Sequence, residues 1–245
     1  MALELQVLII AVSGFFLGIV SGIVSGGIGS IMVPLAIAAG LPPQIAVGTL
    51  KMGGLGAAFG GLTVFWKSGH VRKDILRVMV PIGISVGLMT PFIFQRIDSE
   101  TFQTILGIVL IIMAPTLLIK KKGLLKPSRK RRGVGYVLYS FVLFLQAVFG
   151  SGAGSLANFI LILLFGTTKL ETNATKRAVT AFLVPITFVG LLLTGYVSLI
   201  HGIPLLIASF IGTHIGSKIA LKQGEEFVTY AMFIVALAGG IWVLI

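Results

Sequence analysis

Residues 21–34 read SGIVSGGIGSIMVP, four glycines, three serines and a proline set inside an otherwise apolar run. Glycine costs about 1 kcal/mol relative to alanine in a helix interior, and serine competes for the backbone hydrogen bonds a helix needs. A chain that accepts this several times in ten residues gains either close helix packing or an interrupted helix. Gly14, Gly18, Gly22 and Gly26 recur at four-residue spacing, the small-xxx-small pattern that lets membrane helices approach closely. The denser part, SGGIGS at 25–30, is expected to stop the helix.

The medium around this stretch is lipid. Of the 245 residues 56% are hydrophobic and only 11% charged, and the mean hydropathy is +1.08, far from the balance of a soluble domain. Apolar stretches of membrane-spanning character cover 5–40, 44–66, 75–95, 101–119, 134–165, 175–200, 203–220 and 226–244. Runs such as TILGIVLIIMAPTLLI (104–119) are apolar on every face, which fits helices and not the alternating strands of a membrane barrel. The first stretch has neither a basic n-region nor a clear small-residue cleavage pattern, and it is expected to stay as the first helix.

Further along, the opening motif returns. SGGIGS (25–30) matches GSGAGS (150–155), VGTLK (47–51) matches NATKR (173–177), and SGHV (68–71) matches TGYV (194–197). MVPIGISVG (79–87) then matches GIPLLIASFIG (202–212), and SETF (99–102) matches GEEF (224–227). Five matches in one order imply two related halves. Residues 1–119 read as a first transmembrane repeat, 120–133 as a basic cytoplasmic linker and 134–245 as a second repeat.

Charge placement orients the halves. The chain carries 19 basic and 7 acidic residues, a net charge of +12, and the basic residues sit in short loops, as membrane orientation requires. KKKGLLKPSRKRR (120–132) therefore reads as a cytoplasmic connector touching anionic lipid headgroups; no nucleic-acid partner is expected. Counting backward places Lys67, Arg72, Lys73 and Arg77 inside. Counting forward, Lys169, Lys218 and Lys222 fall inside only if 134–165 enters and returns as a broken hairpin. Its 32 residues, like the 36 of 5–40, would span roughly 50 Å as one helix, too long for a single ~30 Å crossing. The expected fold is an all-α polytopic membrane protein of two inverted-topology repeats. Each would hold about four spanning helices plus a Gly/Ser-rich broken or re-entrant helix, a design used by many secondary transporters.

Interrupted helices at matching positions of two halves are the best sequence pointer to a transporter's binding site. Exposed N–H groups at half-helix N-termini and serine hydroxyls favour an anion. The candidate site residues are Ser25, Gly26, Gly27, Gly29 and Ser30 in the first break, and Ser151, Gly152, Gly154, Ser155 and Asn158 in the second. Thr49 with Lys51, and Thr175 with Arg177, complete the set. A cation within a membrane segment is by default a functional hypothesis. For Lys51 and Arg177 the alternative is snorkelling to the interface, and for Lys176 snorkelling is the expected state. Asn158 reads equally as a ligand donor or an interhelical hydrogen bond.

Several chemistries are excluded or disfavoured. No cysteine exists to form a disulfide, a thiolate nucleophile or a metal site. The seven acidic residues all lie at expected ends or loops, so neither a proton relay nor a sodium site is visible. His70 and His201 read as interfacial, and His214, in FIGTHIGS (210–217), as a structural hydrogen-bonding group within a span. HExxH, GxSxG and Walker patterns are lacking. The chain does not read as an enzyme, and no cofactor is expected.

SGIVSGGIGSIMVP followed by GLPPQIAVGT (40–49), with the partial second copy GSGAGSLANF (150–159), resembles the TauE/SafE family of anion exporters, also called the sulfite exporter or TSUP family. The usual glycine triplet is reduced here, and the second copy lacks the proline. The resemblance implies transport of small sulfur-containing anions, such as sulfite, thiosulfate, sulfoacetate and other sulfonates, or of carboxylates, across a prokaryotic inner membrane. The leading expectation is an alternating-access exporter with an anion site between the halves. A passive anion channel and a proton- or sodium-coupled importer are the alternatives, and the oligomeric state, a homodimer included, stays open.

Overall fold

The computed structural model describes residues 2–25, 29–98, 100–102, 104, 105, 108, 128–150 and 154–244, with backbone alone at 29, 30, 155, 233 and 235–244. Every regular element among them is helical. In chain order these are α1 (Leu3–Val24), α2 (Gly29–Ala38), α3 (Pro43–Phe65) with a 3₁₀ turn (Trp66–Ser68), and α4 (Lys73–Arg96). After the basic linker come α5 (Arg129–Phe149), α6 (Gly154–Phe165), α7 (Lys169–Leu193) and α8 (Leu199–Leu244). Six segments among the described residues are long and apolar enough to cross a membrane. Large apolar side chains such as Phe16, Phe92, Val137 and Leu193 stand exposed on the outer surface, as a lipid-facing surface requires.

The eight apolar stretches do not map one to one onto these helices. Stretch 5–40 divides into α1 and the shorter α2, and 134–165 into α5 and the shorter α6. Stretches 203–220 and 226–244 lie in α8, bent where Gly224 takes φ 80°, a backbone that glycine adopts without strain. The 101–119 stretch lies almost wholly outside the described residues.

The glycines of α1 serve packing. A Cβ on Gly22 would stand 2.5 Å from the Thr213 carbonyl oxygen of α8, and one on Gly216 would stand 2.0 Å from that of Ile19. On α3, a Cβ on Gly56 would reach 2.1 Å from the Leu206 carbonyl oxygen. Helices α1 and α3 thus meet α8 backbone to backbone, as small residues permit in lipid. A separate aromatic and aliphatic core, including Phe94, Phe102, Tyr139 and Phe165, packs α4 to α7 together.

Hydrogen bonds sort the segments into two ends. At the basic end, Arg132 pairs with Asp74 at 3.1 Å and Arg72 with Glu171 at 3.8 Å, and Glu225 accepts from the Leu170 amide at 2.9 Å. The Asp74 hydrogen bond holds the Arg72 guanidinium above its ordinary range. At the far end, Gln44 donates to the Ile97 carbonyl at 2.7 Å and Gln6 meets His201 at 3.3 Å. A Cβ on Gly40 would stand 2.9 Å from the Gln6 amide nitrogen, so the chain after α2 is back beside the start of α1. Arg132 and Leu170 likewise bracket α5 and α6 at the basic end. His201, expected at the interface, lies at this far end, buried in the protein and bonded to Ser198 at 2.8 Å as well as to Gln6. His214 does act as a structural hydrogen-bonding group, 2.9 Å from the Thr63 hydroxyl.

Candidate functional site

Helix α1 stops at Ser25, which takes the left-handed φ of 49°, so its last carbonyls have no further turn to bond. Such orphan groups cost several kcal/mol each in an apolar medium unless satisfied. The second half supplies the partners. Arg177 donates through Nη2 to the Ser21 carbonyl and, at 2.7 Å, to the Ser21 hydroxyl. Asn173 donates to the carbonyls of Gly22 and Ile23 at 3.0 and 2.8 Å. Asn158 donates to the Val24 carbonyl at 3.2 Å, and Lys176 to that of Ser25. Five consecutive carbonyls are thereby taken, and positive charge sits at the negative end of the helix dipole.

Helix α5 ends in the same way at Gly150, and the first half answers. Gln146 O accepts from Gly150 N–H at 3.1 Å and from Lys51 Nζ at 2.7 Å, just as Ser21 O accepts from Ser25 N–H at 2.8 Å and from Arg177. Lys51 and Arg177 each lie eight positions past the first residue of their helix, Pro43 and Lys169. Each half's third-helix cation therefore bonds the other half's broken first helix.

Between these contacts lies a cavity of about 160 Å³. Lys51, Arg177, Ser21 and Gln146 line it, with Gly53 and Gly54 at mid-length of α3 and Thr180 and Leu183 at mid-length of α7. Among the described residues no carboxylate lines it. Among the described residues the ion pairs all lie at the basic end, and neither Lys51 nor Arg177 belongs to one. Arg177 Nε and Gln146 Nε2 are buried with no hydrogen-bond partner among the described residues. A buried donor without a partner costs about 1–3 kcal/mol. The volume is close to that of an apolar cavity that holds benzene, ~150 Å³, which limits the guest to a small ion.

The sequence-predicted residues divide into groups. Lys51 and Arg177 come together on the cavity. Thr49 and Thr175 lie off it, buried, and accept from the Ser198 and Arg72 amides at 2.9 and 3.0 Å, pinning the loops that lead into α8 and α4. Asn158 bonds between helices, donating to Val24 and accepting from Lys176 at 2.8 Å. Ser25 holds the α1 terminus, and the Gly154 carbonyl accepts from Lys176 at 2.7 Å. Lys176 does not snorkel: it is buried among these three oxygens because they, and not water, satisfy its protons. Gly29, Ser30 and Ser155 open α2 and α6; Gly26, Gly27, Ser151 and Gly152 lie outside the described residues.

Sequence reasoning missed Ser21 and Gln146 on the cavity and Asn173 at the helix end. Gln146 carried a usable signal, as the lone amide in the apolar run SFVLFLQAVFG (140–150), where polar groups are expensive.

The comparisons with known proteins agree on a transporter. The family model described as Sulfite exporter TauE/SafE matches residues 10–243. The "Probable membrane transporter protein" of Haemophilus influenzae is 25% identical over 88% of this chain and 85% of its own length. A similarly named Sinorhizobium protein, ORF9, is 26% identical over 93% and 88%, and YjnA of Bacillus subtilis 24% identical over 95% and 97%. No solved structure matches the chain. With nearly its whole length covered by the family model, the chain belongs to the sulfite exporter TauE/SafE family of membrane transporters.

Proposed function

We propose that the protein exports a small sulfur-containing or organic anion, a sulfite, thiosulfate, sulfonate or carboxylate, by alternating access around the cavity between its halves. The observation that carries this reading is the pairing of Lys51 and Arg177 on one cavity without a carboxylate. Charge of one sign in a dry site attracts the opposite sign, and the cavity's size admits only small ions. The family's printed description adds the sulfur chemistry.

The two halves, 1–119 and 134–245, form inverted repeats joined by the basic linker. Support comes from steps of 126 residues that relate Thr49 to Thr175 and their partners Arg72 and Ser198, at opposite ends of the molecule. The basic end faces the cytoplasm of a prokaryotic cell, with the 120–132 segment against anionic headgroups. Rocking of one half against the other would expose the cavity to each side in turn. Expelling one negative charge from a negative interior gains about 2.3 kcal/mol per 100 mV, so export needs no coupled ion.

Flux of radiolabelled sulfite and ethanesulfonate from proteoliposomes tests this. Saturable, mutually competed efflux driven by membrane potential alone is expected, and it falls at least tenfold in the Lys51→Ala, Arg177→Ala double variant. Efflux that survives the double variant removes the charge site. Unsaturable flux would replace the exporter with a channel, and a required proton or sodium gradient would replace it with a coupled carrier.

A further inference from the structure

Helix α8 turns a row of hydroxyls toward α1: Ser209, Thr213 and Ser217, at four-residue spacing, lie against Gly14, Gly18 and Gly22. Thr213 donates to the Gly18 carbonyl at 3.1 Å and Ser217 to that of Gly22 at 3.5 Å, the interhelical bonds that hydroxyls make in lipid. Elsewhere in the spans, Ser85, Thr180 and Thr187 donate instead to the carbonyl four residues back, at 2.9 to 3.1 Å. Ser209 does neither, and its hydroxyl has no hydrogen-bond partner among the described residues.

The position of that hydroxyl is fixed by its neighbours. The Oγ atom would stand 3.3 Å from a Cβ on Gly14 and 3.3 Å from one on Gly53, so it points between α1 and α3, and all three residues line the cavity. Ser209 is 6% exposed, yet its oxygen is not sealed off as Tyr139 Oη is; the surface it keeps opens on the cavity that it lines. Gly53 lies two residues past Lys51 and four before Ala57, whose carbonyl takes Arg177 Nη1 at 3.3 Å. Along α3 the hydroxyl therefore falls between the two cations.

We infer that Ser209 is a substrate-binding residue of this cavity, its hydroxyl donating a hydrogen bond to an anion held between Lys51 and Arg177. The inference rests on the anion reading of the cavity. A polar group within a span is costly unless it is bonded, and this one stays unbonded although carbonyls of the kind that serve Thr213 and Thr180 are one turn away. A bound anion supplies the missing acceptor. Gly14 and Gly53 keep the place open, since an added methyl at either would press on Leu205 at 2.3 or 2.9 Å beside the hydroxyl.

Because the chain has no cysteine, Ser209→Cys introduces a single thiol of nearly the same shape. The full-length variant in detergent micelles is treated with methyl methanethiosulfonate, a small neutral reagent, with and without ethanesulfonate. The thiol is expected to react, and the anion to slow it at least fivefold. A thiol that does not react, or that reacts equally fast beside the anion, overturns the inference. Calorimetric titration of Ser209→Ala gives a second reading: ethanesulfonate weakens about tenfold, while the unfolding midpoint stays at that of wild type, because the hydroxyl holds no other part of the protein. Ser85→Ala, on the exposed face of α4, keeps wild-type affinity. Unchanged affinity in Ser209→Ala, a midpoint that falls together with the affinity, or an equal loss in Ser85→Ala overturns the inference. A wild type that binds neither ethanesulfonate nor sulfite overturns the anion reading of the cavity itself, an outcome distinct from a wild type that binds and a Ser209→Ala variant that binds equally.

Discussion

Lys51 of the first half donates to the Gln146 carbonyl of the second at 2.7 Å. Its counterpart, Arg177 of the second half, donates to the Ser21 carbonyl of the first. Each cation thus adds a second donor to a helix-end carbonyl, beside the backbone N–H of Gly150 or Ser25, and each lines the cavity. On the proposed export reading a bound anion would compete with those carbonyls for the same protons, which would link ligand occupancy to the tie between the halves.

Charge and shape at Arg177 should separate. Arg177→Lys keeps the charge but loses the forked contact to both Ser21 oxygens and the reach to the Ala57 carbonyl at 3.3 Å, and the two side chains are not equivalent at such a site. Anion affinity is expected to drop about tenfold, with a further loss in Arg177→Met. Binding titrations on the two variants decide this; equal affinities for Arg177→Lys and wild type would show that the fork does not matter.

Asn173 should matter for folding more than for binding. It lies off the cavity, yet it donates to the Gly22 and Ile23 carbonyls. Asn173→Leu removes the side-chain donor of the Ile23 carbonyl and leaves the Gly22 carbonyl the Ser217 hydroxyl at 3.5 Å, a loss of about 1–3 kcal/mol for the unpaired acceptor. The expected outcome is a lowered unfolding midpoint in mixed micelles, with anion affinity of the folded fraction within twofold of wild type. An unchanged midpoint would mean that other groups already satisfy this helix end.

The sequence made the helices and the two breaks legible, because glycine and serine in an apolar run carry strong, local physical signals. SGGIGS stood out for that reason, and α1 does end at Val24. What was not legible is which half serves which. Thr49 and Thr175 sit two positions before the cavity cations, and from sequence nothing distinguishes a hydroxyl facing a ligand from one facing the Ser198 or Arg72 amide. Lys176 looked like an interface residue because it neighbours Arg177, but helical geometry turns adjacent residues about 100° apart, and this one faces the α1 terminus. At α1 the carbonyl end of the break receives cations of the second half, a contact that the residue pattern of the break did not announce.

Two glycines should respond oppositely to alanine. On Gly216 the added methyl would meet the Ile19 carbonyl oxygen at 2.0 Å, whereas on Gly54 it would meet only Val184 at 3.4 Å, an ordinary contact. Gly216→Ala is expected to disrupt α1 against α8 and to lower the yield of folded protein. Gly54→Ala should fold, but Gly54 lines the cavity, so ethanesulfonate should weaken more than the smaller sulfite. Gel filtration and competition binding read the two effects; a well-folded Gly216→Ala protein would contradict the backbone-to-backbone packing.

Orientation can be tested without background, because the chain has no native cysteine. Lys67, Lys130 and Lys222 are exposed at or near the basic end, where Arg132, Asp74, Arg72 and Glu171 meet. Glu4, Asp98 and Leu199 are exposed at the far end, near the Gln6–His201 and Gln44–Ile97 contacts. Single cysteines at the first three should react with a membrane-impermeant maleimide only from the cytoplasmic face, and those at the last three only from the outside. Lys130 and Lys222 carry the most weight, because a single unbroken crossing over 134–165 would put them on opposite sides of the membrane. Labelling of Lys130→Cys and Lys222→Cys from opposite faces would reject the broken hairpin, and with it the proposed inverted arrangement of the two halves.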